Sequence, residues 1–101
     1  MAEKAEQPIK YRIHPRRFFD YDTTEKTWSL EVQLPGVEKG NITFKALHNT
    51  YFLEARRDAA LYTLNETLPF EMEHDSIQAE YKDGLLNITG RIKDPLAEAV
   101  D

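Results

Sequence analysis

From Thr27 to Leu34 the chain alternates apolar and polar residues without a break, Trp28, Leu30, Val32 and Leu34 on one face and Ser29, Glu31 and Gln33 on the other. A period of two is that of an extended strand with one buried face. The run stops at Pro35-Gly36, a turn dipeptide. Ile42, Phe44 and Ala46 then alternate with Thr43 and Lys45, and His48-Asn49-Thr50 turns the chain into Tyr51, Leu53 and Ala55, a hairpin. Tyr62, Leu64 and Leu68 alternate up to Pro69. Next comes a loop bearing Glu71, Glu73, Asp75 and Glu80 around a short strand with Ile77, Ala79 and Tyr81. Lys82-Asp83-Gly84 is a hairpin turn, because Asp-Gly tolerates the positive φ such turns need. Leu86 and Ile88 alternate in the last strand, which runs from Leu85 to Ile92 before Pro95.

No ten-residue stretch has a helical repeat, the tail Leu96 to Val100 being the one place where a helix fits. A chain of 101 residues is one domain with one core. Its seven to eight short strands predict an all-β fold, an antiparallel immunoglobulin-like β-sandwich. The predicted boundaries are an N-terminal arm over residues 1–17, the sandwich over 18–93 and a short tail over 94–101.

Charge and composition narrow the function. The net charge is −5, yet residues 1–20 carry +2 and the remainder −7. Such a surface repels nucleic acid and anionic membrane, so neither is an expected partner. Without cysteine there is no disulfide, thiolate metal site or cysteine nucleophile. The polar start MAEKAEQP is no secretory h-region and no apolar run reaches a membrane span, which predicts a cytoplasmic protein.

Catalytic arrangements are not evident. Asp20 and Asp22, with Glu25 nearby, read as solvated turn groups beside Thr23-Thr24 rather than an acid/base pair. His14, His48 and His74 sit in three separate turns without ligand spacing, so no metal or other cofactor is expected. Ser29 and Ser76 lack a nucleophile elbow, and no glycine-rich phosphate loop is present. The sequons at Asn41, Asn65 and Asn87 read as strand and turn composition, and Arg16-Arg17 beside Phe18-Phe19 is too small a basic patch to bind nucleic acid. The expectation is that the protein is not an enzyme.

Three motifs carry a resemblance. Leu34-Pro35-Gly36-Val37 is followed by Lys39 and Ile42; Leu68-Pro69 is followed by Ile77-x-Ala79; and Ala79-x-Tyr81-x-Asp83-Gly84-Leu85-Leu86-x-Ile88 closes the series. In this order and spacing, from about Phe18 to Lys93, the chain resembles the α-crystallin domain of small heat-shock proteins. The resemblance implies an ATP-independent holdase that binds partly unfolded clients and limits their aggregation. It also implies a client or partner groove lined by Ile42, Phe44 and Ala46 facing Ile77 and Ala79, although alternation alone equally allows these residues to fill the core.

Departures from the family matter. Only Asp58-Ala59-Ala60-Leu61 separates Arg57 from Tyr62, which leaves no room for the long loop that many members swap into a partner. The family's arginine before L-P falls near Leu64, and the tail has Leu96 and Val100 in place of the I/V-x-I/V plug. A dimer or smaller is therefore expected. The short connection is also similar to CS domains, so the alternative is a CS-like or crystallin-like adaptor docking on one folded partner. In the arm, Ile9, Tyr11 and Ile13 alternate with Lys10 and Arg12 between Pro8 and Pro15. That segment reads as a strand, either an ordinary edge strand or a detachable one lying in the chain's own or a partner's groove.

Overall fold

A computed structural model describes residues 8–94. The strands are β1 (Tyr11–Ile13), β2 (Arg17–Asp22), β3 (Thr27–Gln33), β4 (Ile42–Leu47), β5 (Thr50–Arg57), β6 (Ala60–Thr67), β7 (Met72–Lys82) and β8 (Leu85–Ile92), with one 3₁₀ turn at Lys39–Asn41. They form two four-stranded sheets, β1-β6-β5-β4 and β2-β3-β8-β7. Every pairing is antiparallel except that of β1 with β6, which is parallel. The chain thus has the expected all-β sandwich.

The alternating residues meet between the sheets. Trp28, Leu30 and Val32 of β3 and Leu86 and Ile88 of β8 face Tyr51, Leu53 and Ala55 of β5 and Tyr62 and Leu64 of β6, all buried. No polar or charged residue is fully buried among the described residues. The interior is therefore held by apolar burial, at roughly 25 cal/mol per Å².

Turn chemistry sets the connections. Asp83 and Gly84 both have positive φ, 52° and 80°, the requirement of a type I′ hairpin turn. A Cβ at Gly84 would also stand 3.1 Å from the Pro35 Cα. In the Leu34–Val37 turn, Gly36 has φ 77° and Val37 N–H donates to the Leu34 carbonyl at 3.2 Å. Proline then glycine at the two central positions is type II chemistry.

One sequence expectation is corrected. The acidic loop around a short strand is instead part of an eleven-residue strand, β7. Its alternation is hidden by a bulge: Glu73 pairs with Arg91 and Gln78 with Thr89, so four residues of β7 face Gly90 alone. Ser76 closes the gap, its Oγ donating to the Glu73 carbonyl at 2.6 Å and accepting from the Arg91 N–H at 2.8 Å. Of the two readings of the Ile9–Ile13 segment, the edge strand is the one seen, and it lies on β6 rather than between β4 and β7. Tyr11, Arg12 and Ile13 pair with Ala60, Leu61 and Tyr62, and Lys10 and Tyr11 N–H groups both donate to the Ala59 carbonyl. The β6 edge offered backbone partners that alternation cannot reveal, and Ile13 packs against the core while Tyr11 stays 62% exposed. The tail from Pro95, with the Leu96 to Val100 pattern, lies outside the described residues.

Candidate binding groove

The two flanks of the sandwich differ. On the flank formed by β6 and β2, β1 covers part of the β6 edge, Pro15 is buried, and Arg17 of β2 reaches across to Glu66 of β6. Tyr51, opposite Glu66 in the β5–β6 ladder, donates its hydroxyl to the same carboxylate. Arg17, read from sequence as part of a small basic patch, is thus spent on an internal pair. Partial burial opposes ionisation of Glu66, but the hydrogen bonds from Arg17 and Tyr51 outweigh it and hold the carboxyl below its usual value. Burial, then the bond to Glu66, pushes the Tyr51 phenol well above its usual range, and the Glu66 contact raises Arg17 further.

Among the described residues the opposite flank has no such closure. β4 ends one sheet and β7 ends the other, and the two edge strands face each other across the sandwich. Ile42, Phe44 and Ala46 pair with the buried Ala55, Leu53 and Tyr51, so they point inward, yet each is only half-buried at this edge of the sheet, where no described strand lies beyond β4. Phe44 stacks on Tyr51 with ring centroids 5.8 Å apart. On β7, Ile77 is half-buried against the core, while Ala79, opposite the buried Ile88, points inward and is nonetheless exposed. The five residues named from the sequence therefore line the inner walls at an open flank. They are neither full core nor outer surface.

The slot between these strands is tied at both ends. At one end Met72 N–H donates to the His48 carbonyl at 2.8 Å. At the other, the Tyr81 hydroxyl lies 2.6 Å from the Leu34 carbonyl oxygen and 2.7 Å from that of Val37, with one proton to donate between them. The same turn is held from β5, where Arg57 Nη1 donates to the Pro35 carbonyl at 2.6 Å. Sequence reasoning did not assign Tyr81 to the site; its place in the Ala79-x-Tyr81-x-Asp83-Gly84 motif was the available signal. Between the ties, the outward backbone groups of β4 have no strand neighbour among the described residues.

Other candidates do not assemble. Among the described residues no group of three or more His, Asp or Glu side chains could hold a metal ion. His48 lies 3.9 Å from Glu71, and Asp22 uses its Oδ1 to accept the Thr24 and Glu25 N–H groups, ordinary turn capping. Among the described residues, no helix is long and apolar enough to cross a membrane.

No family model matches the sequence, and no curated protein matches it either. Solved structures do resemble it. Heat shock protein 16.0 from Schizosaccharomyces pombe superimposes with a TM-score of 0.69 at 20% identity, covering 79% of this chain and 87% of that one. HSP18.5 from E. histolytica gives 0.70 at 13% identity, covering 91% and 97%. HspA from Xanthomonas axonopodis gives 0.67 at 16%, covering 83% and 96%. With its two sheets, its three turn motifs and these neighbours, the chain has the α-crystallin-type β-sandwich fold of the small heat-shock proteins.

Proposed function

We propose that the protein is an ATP-independent holdase that captures partly unfolded chains in the slot between β4 and β7, and that it works in the cytoplasm without cofactor or catalytic residue. The observation that carries this reading is the flank where Ile42, Phe44, Ala46, Ile77 and Ala79 face inward beside a β4 edge that has no neighbour among the described residues. An extended client segment can add its backbone to such an edge and place alternate side chains between the walls. Capture needs no fuel, because whatever binds the unfolded state withdraws it from aggregation by mass action. A surface at net charge −5 favours dispersal of the loaded complex.

Light scattering of several unrelated aggregating clients tests the proposal. Suppression at near-equimolar ratios that is lost in Ala79→Glu, a substitution at an exposed wall position, supports it. Suppression of none of the clients contradicts it and favours a dedicated adaptor. The proposal includes a dimer or smaller, since β5 ends at Arg57 and β6 starts at Ala60, leaving a two-residue connection with nothing to swap. A single species of twelve or more subunits in sedimentation at micromolar concentration would contradict that part.

A further inference from the structure

The two ties that bound the slot differ in kind. The Met72 to His48 bond joins backbone to backbone; at the other end Leu34 N–H donates to the Gly84 carbonyl at 2.7 Å, which holds the start of the turn to the β7–β8 hairpin, and the Tyr81 hydroxyl adds the contact beyond it, to the Val37 carbonyl. Tyr81 stands on β7 opposite the buried Leu86, so its ring points inward along the same wall as Ala79. Its hydroxyl reaches the two carbonyls that bracket the Pro35-Gly36 turn. That turn begins the crossing from β3 in one sheet to β4 in the other, through the 3₁₀ turn that packs near β5. The crossing sets where β4 starts. Holding it to β7 therefore holds the Ile42 end of β4 close to the β7 wall.

We infer that Tyr81 is the latch of the slot: its hydroxyl keeps β4 and β7 together at the Ile42 end, and its release lets the slot widen for an extended apolar segment. The inference rests on the reading of the slot as the capture site. A segment can only shift the slot to an open form by binding that form better, so whatever favours the closed form lowers apparent affinity by the same factor. One hydroxyl–carbonyl bond is a suitable size for this, equivalent to about fivefold in an equilibrium. Arg57 offers an internal comparison, because it grips the same turn from β5 and does not bridge the slot.

The test uses the full chain and the apolar dye anilinonaphthalene sulfonate, with Trp28 fluorescence checking that each variant keeps its fold. Tyr81→Phe keeps the ring and removes the hydroxyl; it should tighten dye binding about fivefold. Arg57→Met should leave it unchanged, and adding Ala79→Glu to Tyr81→Phe should abolish the gain. Should Ala79→Glu weaken dye binding while Tyr81→Phe does not strengthen it, the latch is wrong and the slot stands. Dye binding indifferent to Ala79→Glu overturns the slot and the latch with it. Equal tightening by Arg57→Met and Tyr81→Phe also overturns the latch, since general loosening of the turn would then explain both. If Tyr81→Phe loses the fold signal, Tyr81→Met, which keeps an apolar side chain with no donor and leaves Trp28 the sole tryptophan, carries the same comparison.

Discussion

Gly90 shows how much one side chain's absence decides. It lies opposite Trp28 in the β3–β8 ladder, and a Cβ there would stand 2.7 Å from the indole ring. Trp28 fills that notch and donates its Nε1–H to the Arg91 carbonyl at 3.2 Å. Gly90→Ala should displace the indole, seen as a shift of the tryptophan emission; an unchanged spectrum would contradict the packing. Gly84 has the other kind of constraint, positive φ beside Pro35, and Gly84→Val should lower stability by about 1 kcal/mol or more, roughly 4–8 °C in melting temperature. Glu66 belongs at this scale too. Its carboxyl is held below the usual range in the folded state, so the stability it contributes is present above the unfolded-state value and is lost as pH falls through the folded one. Acid unfolding in that window should be shallower in Glu66→Gln than in the parent, with equal slopes as the contrary result. Of these residues only Gly84 was legible in advance, because Asp-Gly is local chemistry. The partners of Gly90 and Glu66 are set by strand register, which a single sequence does not display.

Among the elements, β3 and the two hairpins centred on His48-Asn49 and Asp83-Gly84 were readable because each is specified by a short run of alternation and its own turn. β7 was readable only in part. A four-residue bulge breaks its period, and the hydroxyl of Ser76 that repairs the ladder looks in sequence like one more loop residue. β1 was legible as a strand while its neighbour was not, since nothing local says which sheet edge an isolated strand will find. Its position has a measurable consequence. Deleting residues 1–14 removes the strand paired with Ala60–Tyr62 and the packing of Ile13, so the melting temperature should fall. Dye binding at the β4–β7 slot should stay the same, because β1 lies at the other end of its sheet. A rise in that binding would place the arm in the slot after all.

At the level of the whole molecule, the proposed function rests on an asymmetry between flanks. One side of the sandwich is shut by β1, Pro15 and the Arg17–Glu66 pair, and on the other the described residues form two facing edges with inward apolar walls. The wall residues were legible through the resemblance to the family; that they come together at one flank depended on sheet order, which sends β4 and β7 to the same side. The measurement that bears most directly on this is amide chemical-shift mapping of the labelled full chain mixed with a destabilised client held partly unfolded. Perturbations centred on Ile42–Ala46 and Ile77–Ala79 are the expected result. Perturbations confined to β1, β2 and β6, with the slot residues silent, would contradict it.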